Sequence, residues 1–313
     1  MNLPEKANVP TMYFIGVTTT KSSIMELFPE WVKALGLKDV VLKGIDLEIH
    51  ADPEEYREVV EFIKNDELSL GALVTTHKID LYEAAKDLFD FLDPYAQMFG
   101  ELSSISKRGG ELRGHAKDPI SSSLALKRFV PDGYWKSHGG DLLLLGAGGS
   151  AIAISSALLD KEHGDNIPHR VDITDINEHR LAETEQVLRM VNPDAKVKYH
   201  LITGSEENGR LLEGLNPHSL VINATGMGKD RPGSPLPDSA KFPQDSLVWE
   251  LNYRGERDFM YQALAQKDEG NLHVEDGWIY FLHGWTQVIA EVFDIDMDGE
   301  RFDRIEQLSN ETR

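Results

Sequence analysis

The stretch Asp141-Leu142-Leu143-Leu144-Leu145-Gly146-Ala147-Gly148-Gly149-Ser150-Ala151 decides how this chain is read. An apolar run breaks into a glycine-rich turn. The residues that follow, Ile152 to Leu159, are small and apolar enough to form a helix packed on a sheet. Strand, Gly-x-Gly-Gly-x-Ala and helix is the order that opens a dinucleotide-binding βαβ unit. Gly146 permits the tight turn. Gly148 lets a pyrophosphate approach the backbone, and small residues at Gly149 and Ala151 let the helix sit close to the strand. The unsatisfied N–H groups at the helix start, around Ala147 and Ser150, then face the phosphates.

Such a motif alone also fits a plain strand–turn–helix. The next segment adds weight. Val171-Asp172-Ile173-Thr174-Asp175 reads as a second strand ending in a carboxylate. Asp175 stands where a ribose-binding acid is expected, accepting from ribose hydroxyls and repelling a 2′-phosphate. The expected cofactor is therefore NAD rather than NADP.

Composition bounds the rest. The chain has 313 residues, enough for two domains, with 41% hydrophobic and 27% charged residues. Against 32 basic residues stand 53 acidic ones, a net charge of −21. That argues against nucleic acid or an anionic membrane as partner. No apolar run is long enough to span a bilayer, and no signal-peptide pattern is seen. The absence of cysteine removes disulfides, thiolate metal sites and a cysteine nucleophile, and fits a cytoplasmic protein. The 11 histidines show no ligand spacing, so no metal site is expected.

The N-terminal half alternates strands with helices, which predicts a parallel-type α/β layer. Strands are expected at Tyr13–Gly16, Val40–Leu47 and Leu70–Thr76, and helices at Ile24–Leu35, Pro53–Lys64 and Ile79–Phe91. Hydroxyl and basic groups recur at strand ends: Ser22 and Ser23 after the first, Thr75 and Lys78 after the third. A serine pair before a helix reads most simply as a cap. A lysine at a helix start is mildly disfavoured by the dipole, which draws attention to Lys78. Leu102–Ser106 and Glu111–His115 flank a glycine pair and predict a hairpin. Asp118-Pro119 opens a helix through Phe129, with Asp118 as its cap. Later strands are expected at 196–202, 219–225 and 246–253, with a proline-rich loop over 230–237 and a long apolar segment over 277–293.

The order of these motifs resembles the shikimate/quinate dehydrogenase family over nearly the full chain. Gly16 to Ser22 resembles its carboxylate-binding loop, although Ile24 stands at the second serine position and Ser23 is displaced by one. Gly71 to Lys78 resembles the strand carrying the catalytic lysine, with Leu73 where an asparagine is usual. Gly100 to Ser104 resembles a glycine-alanine-valine-asparagine-threonine turn, with Ser103 and Ser104 in the last two places. Leu112 to Asp118 resembles the segment that ends in the catalytic aspartate, with Ala116 in place of asparagine. Asn223-Ala224-Thr225-Gly226 resembles the loop beside the nicotinamide, and Tyr253 the tyrosine of an aspartate-x-x-tyrosine segment, with Glu250 in place of the aspartate. His283 or Gln287 takes the place of a substrate-binding glutamine. A packing histidine is an equal reading of His283.

The resemblance implies two domains. Residues 1–118 form an α/β substrate domain with the C-terminal helices of 277–313 packed back on it. Residues 119–276 form a Rossmann-type, doubly wound parallel-sheet cofactor domain. It implies hydride transfer between NAD(H) and a ring hydroxyl or ketone, with Lys78 and Asp118 catalytic and Ser22, Ser23, Thr75 and Ser103 on the substrate. The amides missing at Leu73, Ser103 and Ala116 imply a substrate related to shikimate or quinate but not identical. Alternatives are a dehydrogenase for another cyclitol or polyhydroxy ketone, and a non-catalytic ligand sensor on the same scaffold. The expected partner is a small molecule, and the expected state a monomer or homodimer.

Overall fold

A computed structural model describes residues 3–229 and 231–313. Met1, Asn2 and Asp230, the first residue of the expected proline-rich loop, lie outside the described residues. The chain forms two compact units, residues 1–117 with 284–313, and residues 118–283.

The first unit carries, in order, β1 (Thr11–Gly16), α1 (Ile24–Ala34), β2 (Val41–Asp46), α2 (Pro53–Asn65), β3 (Ser69–Val74), α3 (Lys78–Ala85), β4 (Phe91–Leu92), α4 (Pro94–Phe99), β5 (Ser104–Arg108) and β6 (Glu111–His115). Its sheet runs β2-β1-β3-β5-β6-β4. It is mixed. β1, β2 and β3 are parallel, β5 runs antiparallel to both β3 and β6, and β4 pairs parallel with β6. The parallel-type layer expected of this half is formed by its first three strands, and the expected hairpin adds the antiparallel pairs. The reason lies in the connections: two glycines, Gly109 and Gly110, both with positive φ, close the hairpin and reverse the chain.

α2 shows how local chemistry sets an element. The Asp52 carboxylate accepts from Glu54 N at 2.9 Å, Pro53 starts the helix, and Tyr56, Val59, Val60 and Ile63 face the core. α3 ends earlier than its pattern predicts. After Leu81 and Ala85 no further side chain is buried, and the chain turns through a 3-10 step, so Phe91 lies in a strand and not in a helix.

The second unit opens with α5 (Asp118–Leu126) and α6 (Tyr134–His138). It continues through β7 (Leu142–Leu145), α7 (Gly149–Leu159), β8 (Val171–Asp175), α8 (Glu178–Val191), β9 (Val197–Leu201), α9 (Ser205–Glu213), β10 (Leu220–Asn223), β11 (Leu247–Glu250), α10 (Asp258–Leu264), α11 (Lys267–Gly270) and β12 (His273–Glu275). α12 (Trp278–Phe293) and α13 (Gly299–Thr312) complete the chain. The sheet order is β12-β11-β10-β7-β8-β9, every pairing parallel. Numbered from β7, this is the order 3-2-1-4-5-6 of a doubly wound nucleotide-binding sheet, with its switch point between β7 and β10.

The leucine run is explained by this placement. Leu142 and Leu144 join one hydrophobic cluster, and Leu143 and Leu145 join another. A central strand covered on both faces needs apolar residues at every position.

α12 crosses the division between the units, at 283/284 rather than 276/277. Its first turns belong to the second unit because Ile279 and Tyr280 pack on the cluster around β7 and Phe281 meets Tyr253. In the first unit, α13 docks on α1, where Trp31 Nε1 donates to Ser309 Oγ at 2.9 Å. Among the described residues no helix is long and apolar enough to cross a membrane.

Candidate active site

The glycine turn lies where the leading strand stops. Gly146 has φ +104°, and a Cβ there would come within 2.7 Å of Ala224 O. Only glycine fits, because the end of β7 is pressed against the turn that follows β10. Gly148 differs: a Cβ there would meet nothing within 4 Å. That open space adjoins a cavity of about 330 Å³. The N-cap of α7, Gly148, has no side chain and makes no side-chain cap bond to the first N–H groups of the helix. Ala147 and Ala151 are buried and keep the helix close, whereas Gly149 and Ser150 are half-buried at its start.

The cavity is walled by the C-terminal ends of several strands of this unit, with Gly146 and Gly148 beside Asp175, Ile202, Ala224 and Thr225. Asp175 ends β8, lines the cavity and holds the glycine turn. Its Oδ2 accepts from Ala147 N at 2.8 Å and its Oδ1 from Asn177 N at 2.8 Å. It clasps the glycine turn to β8, and each oxygen keeps a further lone pair.

The Asn223 turn is partly reassigned. Ala224 and Thr225 line the cavity, but Asn223 is fully buried and its side chain is spent inside the turn. Its Oδ1 accepts from Thr225 N at 3.1 Å and Thr225 Oγ1 at 2.7 Å. Gly226 makes the turn with φ +75°. Tyr253 does not line the cavity; its ring sits on Trp278 and Phe281, centroids 5.6 and 4.5 Å away.

Sequence reasoning missed much of the wall, including Arg180 on α8, the loop residues Met227, Arg231, Ser234 and Pro235, and the start of α9 at Ser205. The signal for α9 was present. Glu207, early in the helix, reaches back to Thr203 N and Oγ1 in the manner of a capping box, which holds its carboxyl below the usual range.

In the first unit, Lys78 is the first residue of α3, and its carbonyl accepts from Leu102 N at 3.0 Å. Thr75 Oγ1 donates to Ile15 O at 3.2 Å, tying the end of β3 to β1. The loop after β1 is clamped by Asp46, whose Oδ1 accepts from Thr19 N at 2.8 Å and Thr19 Oγ1 at 2.6 Å. This clamp sets Ser22 and Ser23. Ser23 occupies the cap position of α1 but makes no side-chain cap bond, so the simple capping role does not apply.

Ser103 is engaged by backbone. Its hydroxyl accepts from Lys117 N at 2.6 Å and donates to His115 O at 3.4 Å. Leu73 and Ala116 are buried. Gln287 is half-buried on the first-unit part of α12.

Asp118 is the first residue of α5 and is buried. His283 is the last residue of the second unit and is also buried, with its carbonyl accepting from Ser121 Oγ at 3.3 Å. Burial, and then the charge of Arg128, pushes its imidazole down to about 4. It is a neutral ring at physiological pH. Among the described residues no cluster of His, Asp and Glu is suited to a metal ion.

The fold is that of a two-unit α/β protein, one unit of which carries a Rossmann-type, doubly wound sheet. Comparison with known proteins narrows this further. No family model matches the chain. The shikimate dehydrogenase (NADP(+)) of Streptococcus thermophilus is 29% identical over 184 residues, 58% of this chain and 58% of that relative. The aligned part thus spans a little over half of the curated relative. Quinate dehydrogenase from Corynebacterium glutamicum in complex with NAD superposes with a TM-score of 0.74 at 18% identity, covering 95% of this chain and 97% of its own. Shikimate 5-dehydrogenase from Listeria monocytogenes, in complex with shikimate and NAD, gives 0.73 at 21%, covering 98% and 99%. The chain thus has the fold of those enzymes, and part of it is similar in sequence to curated shikimate dehydrogenases.

Proposed function

We propose that the protein is an NAD(P)-dependent dehydrogenase acting on a ring hydroxyl or ketone of a shikimate- or quinate-like cyclic polyol acid. The observation that carries this reading is the glycine turn. An obligatory glycine is pressed on the Ala224 turn, an open Gly148 adjoins a cavity, and the helix start is uncapped, all at the switch point of a doubly wound sheet. When bound, a nicotinamide coenzyme supplies the two-electron acceptor for a hydride.

The residues of this chain do the rest. The N–H groups opening α7 hold the pyrophosphate, and Gly148 gives it room. Asp175 keeps the turn in shape and offers its remaining lone pairs to ribose hydroxyls. Lys78 takes the carbinol proton as the hydride leaves, and returns it in the reverse direction. Asp118 is assigned to the substrate hydroxyls, and Ser22, Ser23 and Gln287 to the substrate carboxylate and ring. The protein would act on a small molecule, as a monomer or homodimer.

NAD is the first choice of coenzyme because a carboxylate at Asp175 opposes a 2′-phosphate. NADP is the second reading. It is favoured by Arg180 in the same wall and by the Streptococcus relative's being an NADP(+) enzyme by name. Titration of the protein with NADH and NADPH, followed by fluorescence, tests both. Tighter binding of NADH is expected. Tighter NADPH would reverse the coenzyme assignment, and binding of neither would remove the nucleotide reading.

A further inference from the structure

At the end of β11 the fold buries a carboxylate in a knot of amides. Glu250 is fully buried. Its Oε1 accepts from Asn252 N at 2.9 Å and from Asn223 Nδ2 at 3.2 Å, and its Oε2 from Asn223 Nδ2 at 2.9 Å. Both partners lead to the same place. Asn223 Nδ2 also reaches Met227 O at 3.2 Å, and Asn252 Nδ2 donates to Met227 O at 2.8 Å. Asn223 Oδ1 holds Thr225, and Thr225 Oγ1 accepts from Met227 N at 3.1 Å. Thr225 and Met227 line the nucleotide cavity, whereas Glu250, Asn223 and Asn252 do not.

The chemistry of this knot needs an acceptor with two oxygens. The Asn223 amide faces both oxygens of Glu250 as a donor. A protonated carboxyl or a glutamine would turn a second donor toward it, and the fork would be lost. We propose that Glu250 is a positioning residue for the coenzyme: through Asn223 and Asn252 its carboxylate sets the Thr225–Met227 wall, so that coenzyme binding requires Glu250 ionised. This rests on the nucleotide reading of the cavity given above.

The surroundings make ionisation a variable near neutral pH. Burial pushes the carboxyl up to about 7, against the hydrogen bonds from Asn252 and Asn223 and the charge of Arg257, which pull it down. The adjacent strand β10 supplies no ionisable group. On the other side β12 supplies His273 and Glu275, paired with each other at 2.8 Å. The segments beyond supply Arg257 and Asp276, paired at 3.4 Å. No histidine lines the cavity among the described residues.

The test is the dissociation constant of NADH and of NADPH for the full chain between about pH 6 and 8.5, in wild type and in Glu250→Gln. The affinity of the wild type should fall as the pH drops through about 7. Glu250→Gln should bind about tenfold or more weakly at the alkaline end, with a flat profile. Equal affinities with parallel profiles in the two proteins would overturn the proposal. So would a wild-type profile that is flat or rises toward acid, which decides the matter even if the variant does not fold. Failure of the wild type to bind either coenzyme at any pH would remove the nucleotide reading, and this proposal with it.

Discussion

Lys78 opens α3, where aligned peptide dipoles disfavour a cation. A lysine kept at such a position calls for a role that outweighs the cost. Lys78→Ala should lower turnover by about 10²- to 10⁴-fold while coenzyme affinity stays close to wild type. Activity surviving in that variant, measured by steady-state kinetics, would contradict the catalytic assignment. Asp175 makes a second residue-scale claim. Asp175→Asn keeps an acceptor for Ala147 N but loses the charge, so the ratio of kcat/KM for NADP over NAD should rise; an unchanged ratio would show that the charge does not select the coenzyme. His283 has a folded pKa near 4, below its ordinary 6.5. The unfolded chain therefore takes up this proton first, and the stability tied to the neutral ring is present above about 6.5 and lost as pH falls toward 4. Urea unfolding over that window should lose less stability in His283→Gln than in wild type. Parallel loss in both would show that the ring titrates normally.

At the scale of elements, β7 is the least forgiving part of the chain. Leu144 is completely buried in a hydrophobic cluster of the second unit, so truncation there removes packed methyl groups and leaves a cavity. Leu144→Ala should cost about 2 to 5 kcal/mol by urea denaturation. A cost under about 1 kcal/mol would mean that the strand is not the packed centre described. The same elements show what could be read from residues alone. β7, the glycine turn, β8 with Asp175, α2 with its Asp52 cap, and the hairpin closed by Gly109 and Gly110 all carry their signal within a dozen residues. What stayed hidden depends on distant partners. The reversal of β5 against β3 is set by pairing between Leu73 and Ser104 across the chain. The clasp from Asp175 to Ala147 N, the inward turn of Asn223 and the backbone bonds of Ser103 join residues many positions apart or bury side chains that look equally suited to a ligand. α13 buries only Phe302, Ile305 and Ser309, too sparse a stripe to stand out in a polar tail.

For the whole molecule, the proposed function draws on residues of both folded units. One carries Lys78 and the clamped loop after β1, the other the cavity at the glycine turn of a six-stranded parallel sheet, which the proposal assigns to the coenzyme. The charge of −21 bears on solubility and on salt dependence rather than on fold. Under the proposed function, Leu73, Ser103 and Ala116 stand where the resemblance implies amides, so a polyol acid other than shikimate itself is expected to be the best substrate. The measurement that reaches this account most directly is absorbance of the reduced nicotinamide with NAD and a panel of shikimate, quinate and related cyclic hydroxy acids. The account predicts that at least one ring carbinol acid reduces NAD, and that the signal disappears in Lys78→Ala. If no member of the panel, and no other cyclitol, is oxidised while NAD still binds, the protein is a sensor on a dehydrogenase scaffold and the account is wrong.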